Sequence, residues 1–152
     1  MKKTDIYPHI SSLGMKANIA SLIIFAAMII VSWIPYLKWV AWGVPLAFIF
    51  LEKSSAFVRF QAVTALILGI IGTAFSLIFK IFILILTPKT IYSAVNLVLG
   101  KGLGAWVFLG TISTIIAIIF AIIEAYMAWM AYIYKQVELP IIGPVARKAS
   151  EK

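Results

Sequence analysis

The chain has 152 residues, 64% hydrophobic and 12% charged, with a formal net charge of +8 and a mean hydropathy of +1.10. Soluble domains run at about 45–50% apolar and about 25% charged, so this balance excludes an ordinary water-soluble fold, and the aromatic and aliphatic content excludes disorder. The absence of cysteine excludes a disulfide scaffold, a thiolate metal site and a cysteine nucleophile. An all-α integral membrane protein with a single bundle remains.

Residues 1–16 read as a polar lead-in: Lys2 and Lys3, then Thr4, Asp5, Tyr7, Pro8, His9, Ser11, Ser12 and Gly14. The first apolar run, Ala17 to Trp33, starts too late and runs too long for a cleaved leader, so it is expected to be a retained span. Pro35 ends it. The second run, Tyr36 to Leu51, has Lys38 at its start and Pro45 inside it. Joining both runs into one bent segment gives three spans in all and puts Lys38 in mid-membrane, at a cost of about 3 kcal/mol. A hairpin at Pro35 avoids that cost and gives four.

Glu52, Lys53, Ser54 and Ser55 form a polar loop, and the third run goes from Val58 to Leu86. Thr87, Pro88, Lys89 and Thr90 stop it. Ile91, Val95, Val98 and Leu99 then share one helical face in a segment too short to cross, which predicts a short interfacial helix between spans three and four. Gly100, Gly102 and Gly104 break it, and the fourth run goes from Ala105 to Tyr134. The expected organisation is a lead-in over 1–16, a four-helix transmembrane bundle over 17–134 and a basic cytoplasmic tail over 135–152.

Basic residues flank the apolar runs, which points to anionic lipid headgroups as their partner and away from nucleic acid. With four spans, one side holds Lys2, Lys3, Lys16, Lys53, Arg59, Lys135, Arg147, Lys148 and Lys152. The other holds Lys38, Lys80, Lys89 and Lys101. The bias places both termini in the cytoplasm, in a bacterial or archaeal cytoplasmic membrane.

Runs three and four each carry a small and polar stripe on one helix face. Gly69, Thr73 and Ser76 lie on the first, and Gly110, Thr114 and Ala121 on the second. Such stripes let helix backbones approach, so these are candidate packing positions, within the bundle or against another chain. Glu124 is the acidic residue deep in an apolar run. It reads as a structural partner for Arg59 or, alternatively, as an ion or proton site of a small self-contained transporter or channel. The single histidine, His9, reads as a surface residue, and no metal cluster, cofactor motif or catalytic set is apparent, so no enzyme activity is expected.

Two stretches carry a family resemblance. Leu51-Glu52-Lys53-Ser54-Ser55-Ala56-Phe57-Val58-Arg59-Phe60-Gln61-Ala62 is the first. Tyr132-Ile133-Tyr134-Lys135 with Glu138-Leu139-Pro140-Ile141-Ile142-Gly143 is the second. Together they resemble small four-helix bacterial membrane proteins related to the channel subunit of the chloroplast inner-envelope (Tic) protein-import translocon. That family's pattern is an acidic residue and Ser, then Phe-Val-Arg-Phe-His-Ala and a Gln two residues on, with Lys-Leu-Pro-Ile-Ile-Gly after the last helix. Here Gln61 stands for the His and Thr64 for the Gln. A role needing a titrating imidazole does not carry over, whereas a hydrogen-bonding role does, since Gln donates and accepts. The resemblance implies a subunit or accessory of a transport or protein-translocation assembly, with Glu52, Arg59, Gln61 and Thr64 as its polar positions.

Overall fold

A computed structural model describes residues 2–86 and 103–150. The chain order is β1 (Lys2–Asp5), α1 (Ala17–Trp33), a 3-10 turn (Leu37–Val40), α2 (Gly43–Leu51), α3 (Ala56–Leu86), α4 (Leu103–Tyr132), β2 (Lys135–Glu138) and α5 (Ile142–Ser150). The fold is mostly helical, as the composition predicts. The interfacial helix expected over 91–99, with its flanking loops, lies outside the described residues.

Two helical stretches, Ala56–Ile85 and Val107–Tyr132, are long and apolar enough to cross a membrane. Only 6% of the most apolar window of each is buried inside the protein. The second apolar run does not form the single helix expected of it. Its helical part, α2, has nine residues, about 13 Å against a hydrocarbon core of about 30 Å. Pro45 explains the break. Proline lacks an N–H and its ring clashes with the carbonyl four residues back, so it is tolerated only in a first turn. With Pro45 third in α2, the helix starts at Gly43 and residues 37–40 take a separate 3-10 turn. Tyr36, with φ of 70°, makes the reversal, and α1 packs on both the turn and α2. The chain therefore turns back on α1 after Pro35.

The chain divides into two compact units, Met1–Ile71 with Ala121–Lys152, and Gly72–Phe120. In the first, α1 buries Ala17, Ala20, Ile24, Phe25 and Met28, one helical face. Gly69 of α3 lets this face and the hairpin come close: a Cβ there would lie 3.2 Å from Met28 Sδ and 3.2 Å from Trp42 Cβ. In the second unit, Gly72 sits under the Phe120 ring, whose centroid is 6.1 Å from that of Phe75.

Residues 2–5 and 135–150, read as lead-in and tail, contain regular structure. β1 and β2 pair antiparallel, with Lys3 opposite Val137, Thr4 opposite Gln136 and Asp5 opposite Lys135. Val137 is fully buried. α5 then folds back so that Ala146 packs with Phe60 and Val63 of α3, with Ile49 and Ile67 against the cluster. Gly143 is required for this return, because a Cβ would lie 2.7 Å from Glu138 Cβ and 3.0 Å from its Cα.

Candidate functional site

Four residues after α2 decide how the chain enters α3. Ser55 is the N-cap, its Oγ accepting from Val58 N at 3.2 Å. Glu52 is 1% exposed. Its Oε1 accepts from Ser55 N at 2.9 Å, Ser54 N at 3.0 Å and Ser54 Oγ at 3.1 Å. It also accepts from Ser12 N at 3.0 Å and Ser12 Oγ at 2.7 Å. Ser12 Oγ accepts in turn from Lys53 N at 3.0 Å. One carboxylate thus ties the lead-in to the α2–α3 connection. Burial alone raises its pKa, but the donors of Ser12, Ser55 and Ser54 outweigh that and hold the carboxyl at about 2.

His9 extends this clamp. Nδ1 lies 2.9 Å from Tyr7 O, a carbonyl that can only accept, so Nδ1 carries the proton. In the neutral ring Nε2 then accepts from Ser55 Oγ, at 2.6 Å. The ring also meets the edge of Phe57, and Phe57 stacks on Tyr134 with centroids 6.0 Å apart. His9 is therefore half-buried and engaged, contrary to its reading as a surface residue. Its partners come from two loops and a helix start, which no local pattern around His9 announces.

The two motifs singled out in the sequence meet here. Phe57 and Phe60 of the first touch Tyr134 of the second and Ala146 just beyond it. Tyr134 adopts φ of 57°, the left-handed cap that ends α4 and turns the chain into β2. Asn18 Nδ2 donates to Tyr132 O at 2.9 Å and binds the start of α1 to the same place.

Comparisons with protein-family models, curated proteins and solved structures find no match. The roles of these residues therefore rest on their own chemistry.

The remaining candidates fall apart from the clamp. Gln61 is fully buried, and its Oε1 and Nε2 make no hydrogen bond among the described residues. Thr64, also buried, donates its hydroxyl to Phe60 O at 2.9 Å within its own helix, so it does not serve Gln61. Glu124 is 7% exposed, on the α4 face with Met127, Ala128 and Ala131. The expected Arg59–Glu124 pair is not formed; the ion pair among the described residues joins Arg147 to Glu138. Arg59 is half-buried and its Nε has no hydrogen-bond partner there. Depth is the reason. Arg59 lies about 3 Å along α3 from Phe57, at the stack with Tyr134, whereas Glu124 lies about 12 Å along α4 from Tyr132.

The packing candidates also separate. Gly69 is closed against Met28 and Trp42, while a Cβ at Gly110 would meet nothing within 4 Å. Thr73 and Ala121 are half-buried; Ser76 and Thr114 are exposed, and Thr114 Oγ1 donates to Gly110 O at 2.9 Å. Gly72, which admits Phe120, was not among the positions chosen from the stripes. No group of three metal-ligating side chains occurs among the described residues.

Proposed function

We propose that this is a non-enzymatic integral membrane protein that serves as a subunit or accessory of a transport or protein-translocation assembly. The observation that carries the reading is the open Gly110–Thr114 face of α4, in a helix whose apolar side chains are themselves largely exposed. In a bilayer, a small-residue face without a partner among the described residues is where another helix approaches, because lipid gives helices no hydrophobic drive to associate. The likeness of the two motifs to the Tic-related family favours the same class of role. It does so by analogy.

In this reading α1 and the Leu37–Leu51 arm supply two further crossings, with the short arm reaching the surface through its Trp39 and Trp42 anchors. The β1–β2 ribbon supports placing both ends of the chain on one side, and the excess of Lys and Arg there makes that side the cytoplasm. Lys38→Cys should label with an impermeant thiol reagent on intact cells, and Lys53→Cys and Lys148→Cys should not. All three lysines are exposed, so a cysteine at each would be accessible to the reagent from its own side.

The test of the assembly role is purification in gentle detergent with identification of bound chains. Gly110→Leu should leave the protein folded and monodisperse while it loses its partner. One observation favours a second reading: Glu124 is buried without an ion-pair partner among the described residues. If the protein purifies alone and vesicles show an ion or solute flux abolished by Glu124→Gln, the transporter reading replaces the assembly reading.

A further inference from the structure

α5 is amphipathic in two directions. Gly143, Ala146 and Ser150 face inward and are buried. On the opposite side, Pro144, Val145 and Lys148 share one helical stripe, and Ile141, the turn residue just before the helix, extends it. Ile141 is 84% and Val145 57% exposed, and Lys148 is exposed at the far end of the stripe. These apolar side chains belong to no spanning helix. Their place along the fold is set by Ala146, which packs on Phe60 and Val63. Those residues lie about 6 and 10 Å along α3 from its first residue, within the first turns of a helix apolar enough to cross a bilayer.

We propose that α5 is an interfacial helix whose Ile141–Val145 stripe lies in the headgroup–acyl boundary of an anionic lipid surface, with Lys148 reaching the lipid phosphates. The proposal rests on the membrane reading above. Charge decides the kind of lipid. Among the described residues at this end the carboxylates are engaged or outnumbered: Glu52 is buried in its clamp, Glu138 pairs with Arg147 and Asp5 lies opposite Lys135. Lys3, Lys16, Lys53 and Lys148 are exposed. Size decides against a protein partner. A nine-residue helix showing one stripe offers far less than the roughly 1,200–2,000 Å² of a stable protein interface, whereas a lipid surface needs no matching shape. A helix with an apolar stripe and basic residues beside it is the ordinary form of such a contact.

The test uses the full chain in vesicles of phosphatidylcholine, alone or equimolar with phosphatidylglycerol, with a polarity-sensitive fluorophore on a single introduced cysteine. Val145→Cys reports on α5, Ile122→Cys on the lipid-exposed side of α4, and Lys53→Cys on the aqueous loop. Brominated acyl chains should quench the probes at Ile122 and Val145 and leave that at Lys53 bright. The loss at Val145 should be greater in the anionic vesicles, and Lys148→Gln should remove that difference. A Val145 probe as bright as that at Lys53, with Ile122 still quenched, overturns the α5 proposal alone. A bright probe at Ile122 overturns the membrane reading and this proposal with it. Shielding of Val145 that brominated lipid does not quench, or that disappears when the protein is diluted in lipid, assigns the stripe to a protein partner or a second copy and overturns the proposal.

Discussion

In the unit made of Met1–Ile71 and Ala121–Lys152, three small or polar positions, Gly69, Gly143 and Glu52, are closed by the chain itself. Gly69 is filled by Met28 and Trp42, Gly143 by Glu138, and the Glu52 carboxylate by three serines. In the Gly72–Phe120 unit, a Cβ at Gly110 would meet nothing within 4 Å among the described residues, and Phe75, Leu77, Ile78, Ile81 and Phe82 are exposed. Both units come from equally apolar helices, so hydrophobicity alone does not distinguish them. In one unit the buried polar groups around Glu52 satisfy one another, while the Gln61 amide of that unit makes no hydrogen bond among the described residues. The other leaves its apolar surface to whatever surrounds it.

Substitutions can break this contrast. Glu52→Ala should have the largest effect, about 3–5 kcal/mol, because it strips the acceptor from a buried cluster of N–H and O–H donors. Thermal unfolding in detergent measures it. Acid should act through the same group. The folded-state pKa of Glu52, about 2, lies below its ordinary 4.5. Its contribution, roughly 3 kcal/mol, is complete above the ordinary value and is lost as pH falls towards the folded one. Glu52→Gln should flatten stability against pH over that window.

Gly143→Ala should cost roughly 1–3 kcal/mol, since the new methyl meets the Glu138 backbone as well as its side chain. Limited proteolysis should then cut between Glu138 and Ser150, where the wild type resists. Gly110→Ala should reverse the sign and stabilise by up to about 1 kcal/mol, because the site is open and alanine is the better helix former. Equal losses at Gly110 and Gly143 would erase the distinction between the units. The smallest effect concerns Arg59 and Glu124. With no ion pair between them, Arg59→Gln and Glu124→Gln should add within about 0.5 kcal/mol in a double-mutant cycle.

Long apolar runs were legible in the sequence because composition alone marks them: the first was read as Ala17 to Trp33, which are the bounds of α1. The third and fourth differ from α3 and α4 by about two residues at an end. The second run was misjudged because Pro45 acts on the backbone and leaves hydropathy untouched. The strands escaped notice because four residues are too few to show a period, and each is a strand only through its partner at the other end of the chain. The site was half legible. Glu52 stood out as a polar position, but its donors on Ser12 lie forty residues away. Arg59 and Glu124 match in sign and in side of the membrane, but pairing them relies on the long Arg59 side chain reaching inward along the bundle, and no such ion pair forms.

The ribbon has a consequence for how the molecule is made. β1 leaves the ribosome well before β2, which follows α4, so β1 has no ladder partner until every helix that precedes β2 has been synthesised. Closing so long a loop adds little entropy beyond that of a moderate one, but it fixes the order of events. Every helix is made while the lead-in is still unpaired, and pairing of β1 with β2 then seals the end. Any stage that releases the chain before β2 emerges leaves β1 with an unsatisfied edge, and such edges are what chaperones and proteases recognise.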